Sequence, residues 1–156
     1  ASGEVSFVAT DHAAGRWPEE KTTGSIWTDY GGVPGVELLL PYLWSKGVVA
    51  GRITLQRLTE LLCSEPARFF GVDHRKGWLR PGCDADFVVF DEGVHWKVKA
   101  DGLHNLNRYT PLEGFELTGR VRATYVRGQC VFERRPEGTE FFAPAGTGEW
   151  VRRGVS

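Results

Sequence analysis

The chain has 156 residues, 41% of them hydrophobic and 25% charged, with a formal net charge of -1. That size fits one domain, or two small ones at most, and the near-neutral charge excludes an electrostatic case for nucleic acid or an anionic membrane as partner. No apolar run approaches the roughly 20 residues of a membrane span, and three widely spaced cysteines, Cys63, Cys83 and Cys130, point to a reduced, cytoplasmic setting with no CxxC pair.

Residues 5–10, VSFVAT, are β-branched and apolar on both faces, which predicts a buried strand of the parallel kind. The run ends in Asp11-His12. An acid at the carboxyl end of a buried strand is where a (β/α)8 barrel places catalytic groups, and a carboxylate there can bind a metal ion and accept a proton. If the strand continues, His12 points the opposite way and serves as a hydrogen-bond donor. The same dipeptide also fits a turn cap beside a satisfied loop histidine. Residues 13–34 make a long connection punctuated by Gly and Pro, a length that marks a functional or disordered loop.

Val36, Leu39, Leu40, Leu43 and Trp44 then fall on one helical stripe, and the helix must start near Gly35 so that Pro41 lies in its first turns. A second helix is predicted over 54–63 with Leu55, Leu58, Leu61 and Leu62 inward. A third, short one is capped by Ser64, carries Pro66 near its start and stops at Gly71. After residue 76 the pattern turns to β. DFVVFD (86–91) and HWKV (95–98) read as strands, and RVRATYVRGQCVFER reads as a hairpin around Arg127-Gly128. The acids of KGWLRPGCDADFVVFD are expected to face solvent, His74, His95 and His104 to lie on the surface, and the tryptophans to fill cores. From about residue 134 the chain reads as an extended arm. One parallel-type strand followed by helices lacks the neighbouring strands such a sheet needs.

Several of these stretches, taken together and in order, resemble one family. VATDHA resembles the last-barrel-strand motif of the cyclic amidohydrolases, the group of dihydroorotases, allantoinases and hydantoinases/dihydropyrimidinases. GGVPGVELLLPYLWSKGVVAGRITLQRLTELLCSEPARFFGV resembles that family's final barrel helices, KGWLRPGCDADFVVFD its C-terminal sandwich strands, and LHNLNRYTPLEGFELTGRVRATYVRGQCVFE its closing segment. The resemblance implies an α/β fold: the last strand and helices of a (β/α)8 barrel in 1–75, strands of a small β-sandwich in 76–133, and an arm in 134–156. It makes Asp11 a metal-ligating carboxylate and general base, taking a proton from a hydroxide held by two metal ions and passing it to the leaving amide nitrogen. It makes His12 a supporting neighbour of that aspartate, and it places Gly31 and Gly32 of YGGVPG at the substrate ring through their backbone. A tight turn before the helix explains those glycines equally well.

Zinc is the metal the resemblance implies, and the substrate is a cyclic amide or ureide such as allantoin, hydantoin or dihydroorotate. Hydantoinases typically read NGxPG where this chain has YGGVPG, an allantoinase-like departure, whereas GRITL and GTGEWVRR look hydantoinase-like; the subfamily stays open. The family's His-x-His pair, carboxylated lysine and two further histidines have no counterpart here. The resemblance therefore implies the C-terminal portion of a longer, homo-oligomeric hydrolase, inactive without its N-terminal barrel segment. The competing reading is a non-catalytic homologue or assembly module of the same fold.

Overall fold

The computed structural model describes residues 3–154. Helix α1 spans residues 36–49 as three consecutive pieces: a 3₁₀ turn Val36–Leu38, an α-helical stretch Leu39–Leu43 and a π-helical stretch Trp44–Val49. It starts directly after Gly35, which leaves Pro41 in its opening turns as expected, where a missing N–H costs least. Its buried residues are Leu38, Pro41, Ser45 and Gly47, not the predicted stripe, and Val36 is 63% exposed. The helix is apolar around most of its circumference, so periodicity could not say which side meets the sheet. Small residues decide it: Ser45 Oγ accepts the Thr118 N–H at 3.1 Å, and Gly47 lets Ile53 close in.

Helix α2 covers residues 55–69 without a break, as Leu55–Thr59, a π-helical stretch Glu60–Ser64 and Glu65–Phe69. The two predicted helices are thus one. Ser64 is not a cap: it is 5% exposed inside the helix with helical torsions. The widened turn precedes Pro66, whose ring would meet the Leu62 carbonyl in a regular α-helix. The true N-cap is Thr54, whose hydroxyl accepts the Arg57 N–H at 3.1 Å. Leu58 and Leu61 face inward, as expected, but Leu55 is 55% exposed. The helix ends at Gly71, with φ of 67°.

Four strands form one antiparallel sheet in the order β1-β2-β3-β4: β1 Phe87–Lys97, β2 Glu116–Val126, β3 Gln129–Arg134 and β4 Glu140–Phe142. The two predicted strands 86–91 and 95–98 are a single strand interrupted by register shifts after Val89 and Asp91. Arg127 and Gly128 both take positive φ, 49° and 76°, in the two-residue turn between β2 and β3. The arm is only partly irregular, because Glu140–Phe142 pairs with β3.

Helix α1 packs on β2, and Leu38, Val98 and Leu117 form the core there, with Tyr42, Trp96, Leu103 and Leu112 around them. This core is thin. Trp17, Trp27 and Trp150 are 56%, 88% and 85% exposed, contrary to the expectation that tryptophans fill cores. Total exposed surface is 10521 Å², against roughly 7,900 Å² for a folded monomer of 17.4 kDa.

Candidate active site

The segment 5–10 is extended but joins no sheet. It lies along α2: the Val8 N–H donates to the Leu61 carbonyl at 3.2 Å, Arg57 donates to the Val5 carbonyl, and the Phe7 ring meets Phe69 at 4.9 Å. Val5 is 58% exposed, so the predicted burial on both faces is not found among the described residues.

The extended run stops at Asp11, whose φ is 46°. Left-handed backbone is unusual outside glycine, though Asp tolerates it better than most residues. Among the described residues the Asp11 side chain makes no hydrogen bond, and the residue is exposed. The reversal also breaks the strand alternation on which the orientation of His12 was predicted. Its Nδ1 accepts the N–H groups of Gly35 at 3.1 Å and Val36 at 3.3 Å, two opening amides of α1 that have no helical partner. His12 is therefore an acceptor on this side, not the expected donor. Nδ1 carries no proton, which leaves Nε2 as the protonated nitrogen of the neutral ring.

The loop from Tyr30 to Gly35 folds against the same turn, with the Ala13 N–H donating to the Val33 carbonyl at 3.3 Å. Gly32 is obligatory: its φ is 78°, and a Cβ would lie 2.5 Å from the Ala13 carbonyl oxygen. Around Gly31 a Cβ would meet nothing within 4 Å. The carbonyls of Tyr30, Gly31 and Gly32 converge on the Lys21 ammonium, at 2.6 Å and 3.3 Å for the first two. That ammonium also lies 5.2 Å from the Tyr30 ring and 5.8 Å from the Tyr109 ring. Sequence reasoning missed Lys21, a single lysine in a polar loop with no spacing signal. The Gly31 and Gly32 N–H groups make no hydrogen bond among the described residues, so the loop turns its carbonyls to Lys21 and keeps two donors free. A cavity of about 180 Å³ beside His12 is lined by Pro34, Gly35, Leu38, Leu103 and His104.

The described residues contain no group of three or more His, Cys, Asp or Glu able to hold a metal ion. One carboxylate is too few for that task. Asp84 and Asp86 are not the solvent-facing acids expected. Lys76 Nζ lies 2.8 Å from Asp84 and also pairs with Asp86, and Arg75 donates to Asp84 at 3.0 Å. The three cysteines are free, and no helix is long and apolar enough to cross a membrane among the described residues.

The amidohydrolase family pattern matches residues 49–132, more than half of the chain. An L-hydantoinase of Paenarthrobacter aurescens is 35% identical over 154 residues, 97% of this chain and 32% of the relative. A D-phenylhydantoinase of Escherichia coli is 37% identical over 155 residues, 98% of this chain and 33% of the relative. The D-hydantoinase structure from Bacillus sp. AR9 superposes with a TM-score of 0.90 at 31% identity, over 99% of this chain and 33% of that one. The chain belongs to the amidohydrolase family. It spans about a third of the length of the curated relatives it matches.

Proposed function

We propose that this chain is the C-terminal portion of a hydantoinase-like cyclic amidohydrolase in the cytoplasm, with Asp11 as its contribution to the catalytic centre. In this assignment residues 1–75 supply the last barrel strand, the substrate loop and the closing helices, residues 76–133 supply sandwich strands, and residues 134–156 form an arm. The observation that carries it is the Asp11 carboxylate, held out by a left-handed turn and making no hydrogen bond among the described residues, in a chain that aligns almost end to end with hydantoinases. The surface in excess of a folded monomer supports a larger body covering part of it.

Asp11 fits as one ligand among several of a divalent ion, zinc by family resemblance. A bound ion would polarise the ring carbonyl and acidify water. The chain's own residues handle orientation and the proton. The free N–H groups of Gly31 and Gly32 are placed to receive a ring carbonyl oxygen, and Lys21 fixes the loop that presents them. Hydrolysis forms a bond from a water oxygen to the carbonyl carbon and breaks the bond from that carbon to the ring nitrogen. The Asp11 carboxylate takes the proton released by water and returns it to the departing nitrogen. His12, anchored on the start of α1, fixes the turn that aims Asp11.

The test is Asp11→Asn in the polypeptide that carries the complete barrel, assayed on hydantoin, dihydrouracil, allantoin and dihydroorotate. Asn keeps the tolerance for left-handed backbone but cannot carry the proton. Turnover is expected to fall by at least about 10²-fold with unchanged folding, the scale of a positioned proton carrier. Near-normal rates would refute the role of Asp11, whereas absence of turnover by the unsubstituted polypeptide would leave the assembly-module reading in its place.

A further inference from the structure

His104, expected to be a surface histidine, bridges two carboxylates. Its Nδ1 lies 2.9 Å from Glu37 Oε1 and its Nε2 lies 2.6 Å from Glu140 Oε2. Ionised carboxylates only accept hydrogen bonds, and a neutral imidazole has a single N–H. Both contacts are therefore satisfied only when the ring carries two protons. The same Glu37 accepts the His104 backbone N–H at 2.9 Å through its other oxygen, and the second oxygen of Glu140 forms an ion pair with the Arg134 guanidinium at 2.9 Å. Phe132 and Phe142 stand edge-on to the ring at 5.7 Å and 5.1 Å.

Three elements meet here. Glu37 lies in the first turn of α1, His104 in the connection between β1 and β2, and Glu140 on β4. Glu37 also directly follows the Gly35 and Val36 amides that His12 accepts, so hydrogen bonds run from the Asp11-His12 turn to β4. We propose that His104 is a positioning residue: charged, it clamps β4 and its own loop to the first turn of α1, and thereby holds the His12 ring and the Asp11 turn in place. The consequence for catalysis rests on the active-site assignment above; the clamp itself does not.

Every charged group around the ring bears on its protonation. Burial alone would lower the His104 pKa from its usual value of about 6.5, but the Glu140 hydrogen bond and the charges of Glu37 and Glu140 outweigh it and raise the value. Arg134 on β3 and Arg120 on β2 line the same cavity of about 440 Å³ and oppose protonation, the Arg120 guanidinium lying 4.7 Å from the Trp96 ring. His12 lines the smaller neighbouring cavity. A raised folded-state pKa means that the clamp's contribution is complete below the ordinary histidine range. It is lost as pH rises through the higher folded value.

The test is hydrogen exchange at the Gly35 and Val36 amides of the 156-residue chain, from mildly acidic to mildly alkaline pH, with the histidine rings titrated by NMR. After correction for intrinsic base catalysis, both amides are expected to exchange about tenfold faster above the His104 midpoint than below it. In H104Q and E140Q they should be fast throughout, while the Gly128 amide, bonded to the Ala85 carbonyl at 2.8 Å, keeps its protection in all three proteins. A His104 that is neutral across the range, or Gly35 and Val36 amides indifferent to both pH and substitution, overturns the clamp. Asp11→Asn tests the active-site assignment separately, since neither carboxylate of the bridge is touched by it.

Discussion

Replacing Asp11 by glycine separates what the turn needs from what the carboxylate does. At φ of 46° a non-glycine residue pays a backbone cost of about 1 kcal/mol, the low end of the range because Asp tolerates this region. Glycine removes that cost and returns about 0.4–1 kcal/mol through the freer unfolded chain. No hydrogen bond of the side chain enters the balance, because it makes none among the described residues. Asp11→Gly should therefore stay within about 0.5 kcal/mol of the parent, on the stabilised side if it moves. Asp11→Ala, which must bear the full left-handed cost, should lose about 1 kcal/mol. Urea denaturation followed by tryptophan fluorescence measures both, provided the slope is constant. A loss above about 1.5 kcal/mol for the glycine variant would mean that the carboxylate holds the fold together. Its assignment to chemistry would then fail.

Gly119 on β2 tests the seam between helix and sheet: its φ is 89°, and a Cβ would lie 2.5 Å from Trp44 Cδ1 and 2.6 Å from the Phe90 ring. Gly119→Ala should cost about 1–2 kcal/mol for backbone plus about 1–3 kcal/mol for overpacking. Adding Trp44→Leu should restore only the Trp44 share of the second part in a double-mutant cycle, the Phe90 contact remaining, and a single-variant loss under about 1 kcal/mol would refute the contact. On the acid side, the Asp84 carboxyl is held below its usual range by the Lys76 hydrogen bond and then by Arg75, and Arg75 lowers Glu149 likewise. Depressed carboxyl values stabilise above the unfolded value of about 4 and lose that effect as pH falls through the folded ones. Melting temperature should drop on acidification and the drop should shrink in Lys76→Met; an identical acid limb in both proteins would count against this ion network.

The parts of the fold that were legible in the sequence are those decided by local chemistry. Gly71 ends α2 because left-handed backbone suits glycine, and Arg127-Gly128 turns the β2–β3 hairpin in the two residues expected. Leu58 and Leu61 repeat at helical spacing on the only strongly apolar side of α2, so their burial followed. α1 offered no such contrast, and its buried side was set by what β2 could approach, namely Ser45 and Gly47. Ser64 looked like a cap because a serine and a proline stand at the right spacing. The widened turn before Pro66 lets the helix run through both.

The site divides in the same way. An acid and an imidazole after a β-branched run drew attention to Asp11-His12 from sequence alone, but the left-handed turn that sets their directions leaves no mark in composition. Lys21 was invisible because its partners are backbone carbonyls of its own loop, which carry no side-chain signal, and the Glu37–His104–Glu140 bridge because its members lie far apart along the chain, 67 and 36 positions. The segment 5–10 is the instructive mismatch. Its composition is that of a strand buried on both faces, yet it touches α2 on one side and leaves Val5 largely exposed. Composition and exposure agree if neighbouring strands from further polypeptide flank it. Under that assignment its free backbone groups become ladder positions, and the carboxylate at its end comes to face the remaining ligands.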